Sequence, residues 1–199
     1  MKHITTLITL ALVLGSLVPL SAQKNMTAKE RRAQTRQERK IAQQKENERL
    51  HNEAVKALES NDFVLEANHL IFKRGRSVSV SSSRNFISMA NKKATVQVSF
   101  DTPRPLQNGL EGFTVEGNVS DVKMKKDKNG GIIYSFLVQG VSISADVNLS
   151  LSPGSNNVSA TSVPSFNSNN LTMNGNLIPQ EKHVFSKVLN AKPSIPKNN

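Results

Sequence analysis

Cysteine and tryptophan are absent from all 199 residues of this chain, and tyrosine occurs once, at Tyr134. Each gap removes a class of chemistry. Without cysteine there is no disulfide framework, no thiol nucleophile and no lipidation site of the bacterial lipoprotein kind. With so few stacking aromatics, a platform for single-stranded nucleic acid is disfavoured. Long hydrophobic runs are lacking beyond the first twenty-two residues, so the rest of the chain is expected to be soluble.

That first stretch has its own logic. Lys2 precedes an apolar run from Ile4 to Leu20, interrupted by Thr5, Thr6, Thr9, Gly15 and Ser16, and Pro19 comes just before Ser21, Ala22 and Gln23. A positive start, an apolar centre and small residues at the end mark residues 1–22 as an export signal cleaved after Ala22. A membrane anchor would ask for about 20 unbroken apolar residues. The expected location is periplasmic or secreted. An exported domain without disulfides must rest on its hydrophobic core, and the chain is long enough to bury one.

The formal charge of +11 is unevenly spread. From Lys24 to Lys45 there are eight basic residues against Glu30 and Glu38, whereas from Glu46 to Glu59 the sign reverses. From Ser60 onward, fifteen basic and nine acidic residues are scattered without a run. Between Gln23 and Asn61 there is neither Gly nor Pro, and Ala, Gln, Glu, Lys and Arg dominate, so a long helix is predicted over residues 23–60. Thr27 and Glu30 form a capping-box signature at its start. Leu50, Ala54, Ala57 and Leu58 make an apolar stripe, so only the last turns can dock. Lys29, Arg32, Arg36, Arg39 and Lys40 recur every three or four residues and share a face. They also sit at the helix end whose dipole disfavours cations. The plain reading is a solvated linker helix. The sharper one is a basic arm that binds anionic lipid or polysaccharide of the cell envelope. Glutamines at 34, 37, 43 and 44 break any coiled-coil seam.

Beyond Asn61 the texture changes to short runs of Val, Ile, Phe, Thr and Ser, punctuated by Gly, Pro and Asn. Apolar residues alternate at Val96, Val98 and Phe100, at Phe113 and Val115, and at Tyr134, Phe136 and Val138. The clearest series is Val141, Ile143, Ala145, Val147, Leu149 and Leu151. Asp127 to Gly131 and Pro153 to Asn156 read as hairpin turns, and Thr102 to Gly109 as a longer loop. Eight to ten strands at this spacing predict a mainly β domain over residues 61–190, an antiparallel sandwich or a barrel-like sheet. Gln180 to Val188 has helical character, and residues 191–199 read as a disordered tail.

Reactive signatures are missing. Gly140-Val141-Ser142-Ile143-Ser144 lacks the second glycine of a hydrolase elbow and falls within a strand pattern. His51, His69 and His183 are not at metal-ligand spacing, so no metal site is expected. The turn at Asp127 has Val138 where a calcium loop needs an acid. No cofactor loop occurs, and no cofactor is expected. The five Asn-x-Ser/Thr strings, at Asn25, Asn118, Asn148, Asn157 and Asn170, are what an Asn- and Ser-rich chain produces by chance.

The segments Phe63 to Asn68, Asn85 to Ile87, Ala94 to Gln97, Gly112 to Gly117 and Leu171 to Gly175 resemble a family of exported Bacteroidota proteins, domain of unknown function 4251. The likeness spans roughly Ala54 to Val188, and Leu20 to Gln23 looks like export signals of that phylum. The resemblance implies a mostly β domain after an N-terminal helix, and no activity or site residue.

The residues themselves favour a non-enzymatic binding module: a β domain with the basic arm on an anionic partner. Any pocket would draw its lining from Phe86, Phe100, Phe113, Tyr134 and Phe136, the simpler expectation being that these five fill the core. The alternatives are a structural or chaperone-like envelope factor, and a hydrolase in which Asp62, Glu66 or His69 converge.

Overall fold

The computed structural model describes residues 27–73, 75–99, 112–165 and 170–183. The export signal, Phe100, the loop from Thr102 and the tail from Ala191 lie outside them. The chain forms two units, residues 1–40 and 41–199.

The predicted helix is α1, Ala28–Glu59. Its start is the capping box read from the sequence: the Thr27 amide donates to Glu30 Oε2 at 2.8 Å, and the Glu30 amide to Thr27 Oγ1 at 3.3 Å. Its end is a Schellman turn. The Asp62 amide donates to the Ala57 carbonyl at 3.0 Å and the Asn61 amide to Leu58 at 3.1 Å. Asn61 takes the left-handed conformation this motif requires, with φ at 55°. Every described residue of the first unit is exposed. In the second unit His51, Ala54, Val55, Ala57 and Leu58 are buried, and Leu50 is half-buried. A boundary at residue 60 would therefore cut these turns from the core they complete.

Nine strands follow among the described residues: β1 Phe63–Phe72, β2 Ser77–Ser79, β3 Phe86–Ala90, β4 Lys93–Ser99, β5 Gly112–Lys126, β6 Ile132–Gly140, β7 Ser144–Leu151, β8 Asn157–Pro164 and β9 Leu171–Pro179. All described pairings are antiparallel, each of β3 to β8 pairs with its successor, and β9 returns to β1. This closes an eight-stranded barrel, with β2 as the ninth strand. Of the two architectures left open by the sequence, the chain adopts the barrel. One edge of β1 pairs with β9 from Phe63↔Pro179 to Phe72↔Leu171. The other edge is shared: residues 63–66 pair with β3 and residues 69–71 with the short β2. A bulge between Ala67 and His69 bends β1. Opposite it stands Gly175, where a Cβ would lie 1.9 Å from the Glu66 carbonyl, so a side chain has no room.

Alternation places Phe63, Leu65, Ile87, Met89, Val96, Tyr134, Phe136, Val138, Ala145, Val147, Leu149 and Leu151 in one buried cluster. Full burial of each large apolar side chain contributes about 1.5–3 kcal/mol. Phe63, Tyr134 and Phe136 meet edge to face, with centroids 5.6–6.3 Å apart. The outer positions of β7, β8 and β9 carry Asp146, Asn148, Ser150, Asn157, Ser159, Thr161, Thr172, Asn174 and Asn176. Apolar inside and polar outside is the reverse of a lipid-facing barrel. No helix among the described residues is long and apolar enough to cross a membrane.

One alternation is corrected. The series begun at Val141 is not a single strand: β6 ends at Gly140, β7 starts at Ser144, and the residues between form a tight turn in which the Gly140 amide donates to the Ile143 carbonyl at 3.0 Å. Val141 is fully exposed. Apolar residues flank this turn on both sides, so periodicity ran through it. The hairpins at Asp127 and Pro153 are as read, with Gly130 and Gly154 at positive φ. The described part of the C-terminal helical stretch, residues 180–183, is helical.

Val147 is completely buried, so Val147→Asp is expected to cost more than about 4 kcal/mol and abolish the cooperative melting transition. Wild-type melting of this variant would refute the register. Lys92 sits in the β3–β4 turn at φ 61°, beside Asn91 at 52°. Lys92→Gly should relieve about 1 kcal/mol of strain and raise the melting temperature by about 3 °C, as read by calorimetry.

Candidate functional site

Lys29, Arg32, Arg36, Arg39 and Lys40 are all exposed on α1. Their spacing keeps them within one face of the helix. None has an ion-pair partner among the described residues. Glu38, the nearby acid that could offset them, accepts from Gln34 Nε2 at 3.0 Å instead. Glu30 is held by the capping box. The charge pattern changes after Ile41. Arg49 donates to Glu46 at 2.6 Å and to Glu53 at 2.5 Å, and Lys182 reaches Glu53 at 2.6 Å. Arg49 holds the Glu46 carboxyl below its ordinary range, and Lys182, with Arg49, does the same to Glu53.

The five aromatic candidates do not converge. Tyr134 and Phe136 fill the core, and Phe113 packs against it from the start of β5. Phe86 lies on the opposite face of β3 from the buried Ile87 and Met89, beside the His183 ring at 5.9 Å. Phe100 lies outside the described residues. Nor do the acid and histidine candidates form one cleft. Glu66 binds His183 Nδ1 at 2.7 Å, while His69 bonds Asn68 Oδ1 at 2.8 Å and Ser79 Oγ at 3.3 Å. Asp62 is exposed in the turn after α1. The His51 Nδ1 group donates to the Ser155 carbonyl at 2.9 Å, tying α1 to the β7–β8 hairpin. Ser142 lies exposed in the turn after β6, with no histidine bonded to it among the described residues. No cluster of three potential metal ligands occurs among the described residues.

An open cleft of about 330 Å³ on the barrel's outer wall was not anticipated. Asn68, Ser152, Asn157, Ser159, Asn174 and Asn176 line it together with Val158 and Gly175. Asn174 Oδ1 is buried with no partner among the described residues. The signal was the Asn and Ser at alternate outward positions of β8 and β9. It could not be seen before the closure that brings Asn68 of β1 beside them.

Residues 45–177 match the profile of DUF4251, a domain of unknown function. A crystal structure of a DUF4251 family protein from Bacteroides eggerthii is similar at 42% identity and a TM-score of 0.67, covering 72% of this chain and 97% of that one. Among curated proteins, none matches.

Tyr134 supplies a spectroscopic test of this arrangement. Its hydroxyl donates to Asn61 Oδ1 and lies 3.5 Å from Met89 Sδ. Burial pushes the phenol up from 10.0 to about 12. The folded chain thus keeps a proton that the unfolded chain releases, so this contribution to stability is intact below pH 10 and fades as pH rises toward 12. Tyr134 is the only tyrosine, so phenolate absorbance should report it alone. Titration near 10 in the folded protein would contradict its burial.

Proposed function

The chain belongs to the DUF4251 family, which has no characterised role, and we propose that it is a non-enzymatic binding protein of the cell envelope whose basic helix engages an anionic lipid or polysaccharide. The observation supporting this reading is the stripe of Lys29, Arg32, Arg36, Arg39 and Lys40, exposed and without ion-pair partners among the described residues. A helix meant only to span distance would gain from alternating charges, as residues 46–53 do around Arg49. Like charges at the N-terminal end of a helix cost stability unless an anionic surface offsets them. Each cation held near such a surface contributes about 1 kcal/mol, and added salt screens the attraction. Export, read from residues 1–22, would bring the helix to such surfaces.

Replacing Arg32, Arg36 and Lys40 together by glutamine is expected to weaken sedimentation with isolated envelopes on the order of a hundredfold. The melting transition should stay unchanged, because these side chains are exposed. High salt should release the wild-type chain to the same extent. Salt-independent pelleting of both proteins would move the partner to the barrel, and a lowered melting temperature in the variant would make the arm structural.

A further inference from the structure

Barrel closure leaves one long strand incompletely paired. β5 runs to Lys126, but β4 covers its edge only as far as Lys93↔Asn118, with a last bond from the Val119 amide to the Lys92 carbonyl at 2.9 Å. From Asp121 to Lys126 that edge faces no strand among the described residues, while the opposite edge stays paired with β6. The bulge between Ser120 and Lys123, with Asp121 at φ 53°, starts this free segment.

Register assigns the chemistry of its two faces. Met124 stands opposite Tyr134, which is buried, so Met124 takes the inward face. The bulge brings Val122 there too. Yet Val122 remains 43% exposed and Met124 38%. On the outward face, Lys123 stands opposite Ser135 and Lys125 opposite Ile133. Lys126, opposite the buried Ile132, follows Met124 on the inward face, Lys128 is exposed in the turn beyond, and one oxygen of Asp127 is taken by the Asn129 and Gly131 amides at 2.7 and 2.9 Å. From Asn129 to Gln180 the only charged residue is Asp146, so the lysines stand out on the β wall.

Lysines on an edge also repel unwanted strands. That role accounts for the charge but not for the apolar pair left beside it. A second copy would bring its own Lys123 and Lys125 against these, so self-pairing is the wrong occupant. We propose that residues 121–126 of β5 accept an extended partner segment by strand addition, one that alternates acidic residues toward Lys123 and Lys125 with apolar residues toward Val122 and Met124. Backbone bonds to the free edge supply affinity, and the two faces supply selectivity.

The test uses the full chain and a dye-labelled hexapeptide alternating glutamate and valine, followed by fluorescence anisotropy. Saturable binding is expected. It should weaken about tenfold in Lys123→Glu/Lys125→Glu, a variant whose melting transition should match wild type because both sites are exposed. N-methylation of alternate peptide amides should abolish binding, because strand pairing needs those donors. Hydrogen exchange at residues 121–126 should be fast in the free chain and slow in the complex. Equal binding by the N-methylated peptide would reduce the effect to charge alone and overturn the proposal. Equal binding by a lysine–valine hexapeptide, or no binding at all, would do the same. So would slow exchange in the free monomer, since another segment of this chain would then cover the edge, or slow exchange that tracks dimer formation.

Discussion

The pairing of β1 with β9 along its whole length is the interaction on which the second unit depends. A sheet built only from successive hairpins would leave β1 and β9 as its two edges, and its apolar face would have nothing to pack against. Closure turns that face inward and lets Phe63, on β1, meet Tyr134 and Phe136 on β6. It also imposes local demands. β1 has to bend at its bulge, and β9 has to approach so closely that residue 175 carries no side chain. The Asn and Ser cleft on the outer wall is a by-product of the same closure.

Helix α1 answers a second constraint. Its turns from His51 onward bury Ala54, Val55, Ala57 and Leu58 in the barrel's own hydrophobic cluster, and His51 and Asn61 add polar ties to Ser155 and Tyr134. These residues belong to the core as much as any strand does. The family match beginning at residue 45, rather than at the first strand, has a physical reason in this packing. The helix changes character along its length because only its later residues supply apolar side chains, while the earlier ones supply charge.

Charge is distributed as unevenly in space as along the chain. The walls formed by β7, β8 and β9 carry amides and hydroxyls with Asp146 as their only charge. Clusters of cations occupy the first turns of α1 and the far end of β5. The fifteen basic residues after Ser60 look scattered along the chain, yet Lys123, Lys125, Lys126 and Lys128 fall on one hairpin arm that outruns its neighbour. Two anionic contacts of different kinds therefore stand side by side as proposals, a surface for the helix and an extended segment for the strand.

Local signals were legible in the residues themselves. The capping box, the helix, its late apolar stripe, the two glycine turns and the inward alternation of β6 and β7 each depend on neighbours a few positions apart, and there the reading and the structure agree. The turn at Val141 was missed because its apolar residues continue a strand period, and only the hydrogen bond from Gly140 to Ile143 separates β6 from β7. The choice of a barrel over a sandwich, the separation of Phe86 from Tyr134 and Phe136, the cleft around Asn174 and the free edge of β5 rest on which distant strands pair and how far each extends. Composition and periodicity set which face of a strand is apolar. The register between strands far apart in the chain, fixed by closure, decides what that face meets.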